Sequence, residues 1–136
     1  MWPFFLSHHH SEESERCVRL GRVHLCRRCI ALWPICFVGL ASLIGQQQEP
    51  AAGTVIAGWL TLPVLEFVAV HIGKLSYSPR RVWIFSTFAA FGSAQLFHRY
   101  LLDPSDRVVW MLALGFGIPA AAAALYHEMG KNPKVL

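Results

Sequence analysis

The stretch "CRRCIALWPICFVGLASLIG", Cys26–Gly45, decides how the chain is read. It opens on a Cys-x-x-Cys step holding two arginines and runs directly into an apolar segment. Metal ligands and snorkelling cations at the head of a membrane helix have this form, because the long arginine stems leave the charged heads in water. Read outward, "RCVRLGRVHLC" (Arg16–Cys26) lies upstream. Three further apolar runs lie downstream.

The chain has 136 residues, 54% of them apolar and only 15% charged. A globular domain carries about 25% charged residues. The charges are confined to short stretches between long apolar runs, the pattern of a membrane protein. The net charge of +4 does not point to nucleic acid, because the basic residues flank the apolar runs. "MWPFFLSHHH" (residues 1–10) has no basic residue before its short apolar part, so a cleavable leader is not expected.

Four transmembrane helices are expected, at about 30–45, 51–73, 82–102 and 108–129. A spanning helix needs about 20 apolar residues. The first segment reaches that only by tilting little or by starting inside the Cys26–Cys29 turn. The connectors "QQQEP", "KLSYSPRR" and "DPSDR" are short, so consecutive helices are expected to pack as antiparallel neighbours in an up-down bundle. Trp33, Trp59, Trp83 and Trp110 lie near segment ends, where an interfacial belt forms. The fold class is therefore all-α: an integral membrane four-helix bundle behind a cysteine-rich knuckle of residues 1–29, with a tail at 130–136.

Lysine and arginine counts give the orientation. Arg16, Arg19, Arg22, Arg27, Arg28, Lys74, Arg80, Arg81, Lys131 and Lys134 fall at one end, and Arg99 and Arg107 at the other. Ten against two places both termini in the cytoplasm. The cysteines then lie in a reducing compartment, where stable disulfides are not expected.

Within the knuckle, Val18 and Leu20 alternate with arginines, Gly21 suits a turn, and Val23 and Leu25 alternate on the return, which reads as a hairpin. Cys26 and Cys29 are spaced to meet one ion, with Cys17 at the hairpin base as a third ligand. Zinc completes a tetrahedron with a fourth ligand. The candidates are His8, His9, His10 and His24. His24, two residues before Cys26, is expected to point away from the ion, which favours His9 or His10. Cys36, inside the first segment, reads as a small buried apolar residue.

"LSHHHSEESERCVRLGRVHLCRRCIALWP" (Leu6–Pro34) resembles the signature of the domain of unknown function 2085 family, small multi-spanning prokaryotic membrane proteins. That signature has a Cys/His start, an arginine, then C-x-R-C entering the first helix. Cys26, Arg28 and Cys29 match, while Ala31 stands where a glycine is usual. The family's proline, followed three residues on by an acid, is matched by Pro63 and Glu66, with Glu for the usual Asp. Its basic serine-rich turn is matched by Ser76, Ser78 and Arg81. The usual glutamine after the acid has no counterpart; Val70 or His71 stands there. The resemblance spans most of the chain. It implies a prokaryotic inner or plasma membrane protein with a metal site, and assigns no function.

Glu66 is the intramembrane polar residue to explain, since an ionisable group at a helix centre costs about 2.5–3.5 kcal/mol on insertion scales. His71, Lys74, Arg80, Arg81, His127 and Glu128 gather towards the same rim. Two readings of Glu66 are open. It lines a polar pocket for a proton, ion or small ligand, or it forms a structural ion pair with Arg80 or Arg81. Gln95, His98 and Arg99 read as an interfacial cap at the other end.

Three functions compete. In the first, a structural zinc site serves a membrane scaffold or accessory subunit, whose arginines suit anionic headgroups or an acidic partner. In the second, the Cys26–Cys29 pair exchanges electrons with a quinone. In the third, Glu66 serves a proton- or ion-linked transporter, which in so small a chain needs a homo-oligomer or a membrane-complex partner. No G-x-S-x-G, phosphate loop or G-x-G-x-x-G occurs. Haem is not expected, because C-x-x-C-H is absent and no two histidines obviously face each other within the bilayer.

Overall fold

A computed structural model of the chain describes residues 16–20 and 23–131. Two short strands, β1 (Cys17–Leu20) and β2 (Val23–Cys26), precede four helices: α1 (Arg27–Gly45), α2 (Gly53–His71), α3 (Pro79–Leu102) and α4 (Arg107–Lys131). The strands pair antiparallel, with Cys17 opposite Cys26 and Arg19 opposite His24. The alternation of small apolar residues with arginines thus forms the hairpin expected of it.

Helix boundaries follow local chemistry. Cys26 is extended and α1 starts at Arg27, inside the Cys-x-x-Cys step. That early start gives α1 19 residues, about 28 Å at 1.5 Å per residue. A hydrocarbon layer of about 30 Å is nearly matched. Gly73, at φ +77°, ends α2: its N–H bonds to the Val70 carbonyl and that of Lys74 to Ala69. The left-handed conformation there is one that glycine adopts without strain. Pro79, which has no N–H to orphan, opens α3. Asp106 caps α4, its Oδ1 accepting the Val108 N–H at 2.8 Å. Pro34, Pro63 and Pro119 sit inside helices that continue through them.

The packing order corrects the expectation that consecutive helices are neighbours throughout. α1 packs on α3, α3 on α2 and α2 on α4, so the helices form a row in which α3 separates α1 from α2. Small residues explain the insertion. Cys36 and Leu43 of α1 meet Ala90 and Ala94 of α3. On the other flank Gly92 lies so close to Leu60 and Trp59 of α2 that an added Cβ would come within 2.8 Å of Leu60. A helix bearing Ser86, Ala90, Gly92 and Ala94 lets neighbours approach on both sides, and the connector 46–52 passes across its end.

α1, α2 and α4 are each long and apolar enough to cross a membrane. α3, expected as a fourth span, is long enough but not apolar enough, since Arg80, Arg81, Ser86, Ser93, Gln95, His98 and Arg99 fall within it. Its place inside the row accounts for this, because Ser86 and His98 are buried against protein. The outer surface is apolar. Phe37, Val38, Leu62, Leu65, Met111, Ile118 and Leu125 are each more than half exposed, a surface suited to lipid rather than water.

Candidate functional site

The functional side chains gather at the end of the row that carries the hairpin, the starts of α1 and α3, and the ends of α2 and α4. Cys17 and Cys26 face each other across the hairpin, and both are buried. Cys29, in the first turn of α1, lies beside Cys26 and within electrostatic reach of Cys17. The three cysteines therefore share one neighbourhood, and none is in a disulfide. Among the described residues, no group of three or more His, Cys, Asp or Glu is arranged to hold a metal ion. His9 and His10, the expected further ligands, lie outside the described residues, as does His8. The expectation that His24 turns away from Cys26 had no basis in strand geometry, because a step of two residues along β2 is one full strand period. Cys36 is fully buried in the α1–α3 core, as expected of a small apolar residue.

Beside the thiols, Glu66 joins three helices. Its side chain is 2% exposed; Arg28 Nη2 of α1 donates to Oε2 at 2.7 Å, and Arg81 Nε of α3 lies 3.5 Å from Oε1. The second contact is an ion pair without hydrogen-bond geometry. Arg81 also donates through Nη2 to the Ser76 carbonyl, which pins the α2–α3 connector. Arg28 lies over the Phe67 ring, 5.1 Å from its centroid. Of the two partners expected for Glu66, the structure selects Arg81. Arg80 is exposed and makes no described contact with the carboxylate. The closer partner, Arg28, was not foreseen. It reaches the carboxylate because α1 begins at Arg27 and packs beside α3, which sets its first turn level with the second half of α2.

His71 and His127, expected to gather at this rim, meet at the ends of α2 and α4. Their ring centroids are 5.3 Å apart, edge to face. His71 stacks on Phe67 and donates from Nδ1 to the Phe67 carbonyl at 2.8 Å, which leaves Nε2 as the acceptor nitrogen. Arg16 and Arg28 are within electrostatic reach of His71.

Tyr77, in the α2–α3 connector, completes this end. Arg16 lies 5.6 Å over its ring. Burial pushes its phenol pKa up against the opposing pull of Arg27, Arg28 and Arg16, so the hydroxyl stays a neutral donor.

The opposite end holds a separate polar cap, as expected of Gln95 and Arg99. Gln95 Oε1 accepts the Ala51 N–H at 3.3 Å, Arg99 Nη1 donates to the Ala51 carbonyl at 3.1 Å, and Arg99 Nε pairs with Asp106. The Arg99 guanidinium and the Val108 N–H hold the Asp106 carboxyl below the usual range. His98 is buried rather than interfacial.

Compared with protein-family models, characterised proteins and solved structures, the chain matches none of them.

Proposed function

We propose that the chain is an integral membrane scaffold or accessory subunit with a structural zinc site on its cytoplasmic face. Cys17, Cys26 and Cys29 would hold the ion, with His9 or His10 as fourth ligand. The observation that carries this reading is the gathering of three cysteines outside any disulfide at the hairpin base, Cys26 opposite Cys17 and Cys29 beside Cys26. Thiolate donors suit zinc, and a structural zinc site contributes folding free energy directly. The ion would bind the hairpin to the first turn of α1. Arg28, inside that turn, then delivers the same constraint to Glu66 and through it to α2 and α3. The resemblance of Leu6–Pro34 to the domain of unknown function 2085 signature supports the same reading. The ten basic residues at this end support its cytoplasmic placement.

The contact between Cys26 and Cys29 favours a second reading, in which the pair is a dithiol that cycles to a disulfide. One experiment separates the two. Thermal unfolding of the detergent-solubilised chain is followed with and without a chelator, under reducing conditions. The zinc reading expects chelation to lower the midpoint by several degrees in the wild type and to leave Cys29→Ser unmoved. A wild type indifferent to chelator but stabilised by oxidant supports the dithiol instead.

A further inference from the structure

The first turn of α1 is weakly held by its own residues. Cys26 stands at the N-cap and makes no side-chain hydrogen bond to the helix, and the first turn contains no acidic residue. Arg27 and Arg28 open it instead. Cations at that end oppose the helix dipole, and the first N–H groups of a helix have no partner within it. A turn of this composition frays unless something outside the helix holds it.

One outside tie comes from α2. Arg28 Nη2 donates to Glu66 Oε2 at 2.7 Å, and the guanidinium lies over Phe67, 5.1 Å from the ring centroid. The Glu66 carboxylate is itself paired with Arg81 of α3. Arg28 is also a residue between the cysteines, two places after Cys26 and directly before Cys29. Residues three apart lie on one side of a helical turn, so the two sulfurs converge on one ion when this turn is formed. The tie to Glu66 and the Cys-x-x-Cys step thus depend on the same turn of backbone.

We infer that Glu66, acting through Arg28, is a positioning residue for the metal site, and that metal occupancy and the Glu66 clasp reinforce each other. The inference rests on the zinc reading and extends it to the regulation of the helices. Two ties to one weak turn cooperate, because whichever forms first has already ordered the turn for the other. Zinc affinity then depends on a carboxylate that does not touch the ion, and loss of zinc loosens the α1–α2–α3 packing at this rim. Charge alone gives a different pattern. Loss of the Glu66 anion weakens cation binding through space, whereas loss of the Arg28 cation strengthens it. The shared turn makes both losses weaken it.

The test is zinc affinity, measured by competition with a chromophoric chelator on the full chain in a neutral detergent with reductant present. Arg28→Gln and Glu66→Gln are each expected to weaken zinc about tenfold or more, as for loss of a group that orients a metal ligand. The double variant is expected to bind no more weakly than either single one, since both cut one link. Gly92→Ala disturbs the α2–α3 contact at Leu60 and Trp59, away from this turn. It is expected to bind zinc as wild type, which separates positioning from a general loss of stability. In return, zinc is expected to raise the melting midpoint of the wild type more than that of Glu66→Gln. If Arg28→Gln lacks a cooperative melt, Arg28→Lys carries the test with a smaller weakening, because its ammonium keeps the charge without the guanidinium fork. Zinc bound by Arg28→Gln as tightly as by wild type, or more tightly, overturns the inference and leaves the zinc reading standing. Equal weakening in Gly92→Ala does the same. A wild type that binds no zinc overturns both.

Discussion

Glu66→Gln removes the one charge that ties α1, α2 and α3 together, and the structure fixes how much that should cost. The Glu66 side chain is 2% exposed, while those of Arg28 and Arg81 are 19% and 30% exposed. Loss of one partner from a fully buried ion pair costs about 3–5 kcal/mol, because a charge is left stranded. Here both stranded guanidiniums can turn partly to water. The expected loss is therefore smaller, about 1.5–3 kcal/mol after discounting for screening. The two pairs should also differ. Arg28 makes a hydrogen bond at 2.7 Å, and Arg81 an ion pair at 3.5 Å without one. A double-mutant cycle should give about 1–2 kcal/mol of coupling for Glu66 with Arg28 and about 0.5 kcal/mol for Glu66 with Arg81. The assay is reversible unfolding in mixed micelles, titrated with a denaturing detergent and followed by tryptophan fluorescence. Glu66→Gln within 0.5 kcal/mol of wild type, on the order of an ordinary surface substitution, refutes the reasoning. Equal or stronger coupling to Arg81 refutes its ranking.

Other consequences follow from the packing and the polar cap. Gly92→Ala should destabilise by about 1–3 kcal/mol, because its new methyl meets Leu60 at 2.8 Å and Trp59 at 3.1 Å; Gly115→Ala, with nothing within 4 Å, should be neutral or slightly stabilising in the same unfolding assay. Asp106 has its folded-state pKa lowered by Arg99, so its stabilising contribution is complete above the unfolded value of about 3.9 and is lost as pH falls through the lower folded value. Unfolding midpoints measured from pH 7 down to pH 3 should show an acid-dependent loss that Asp106→Asn lacks. Arg99→Gln should release Ala51, and with it the 46–52 connector, from α3, read as faster protease cleavage there with the melting midpoint little changed.

The membrane character of the chain was legible because its apolar runs have a length that few other structures require. The hairpin was legible from alternation, and the start of α1 from the need to lengthen a short segment. The order of the helices was not. Short connectors suggest sequential neighbours, but the small faces of α3 at Ala90, Gly92 and Ala94 let it enter between α1 and α2. Such a face is visible in sequence, whereas its partners are not. The Glu66 ion pair was half legible: Arg81 follows from the connector, whereas Arg28 requires knowing that α1 and α3 lie side by side. The meeting of His71 with His127 likewise depends on α2 and α4 being neighbours. Tyr77 carried no sequence signal, and its importance comes from the guanidiniums that folding places around it.

Zinc content per chain most directly tests the central claim. The full-length chain is purified in detergent without chelators and measured by elemental analysis, alongside a Cys26→Ser, Cys29→Ser double variant. The account expects about one zinc per chain in the wild type, as for a single four-ligand structural site, and none in the variant. Wild-type protein without metal, or a variant that keeps it, contradicts the account.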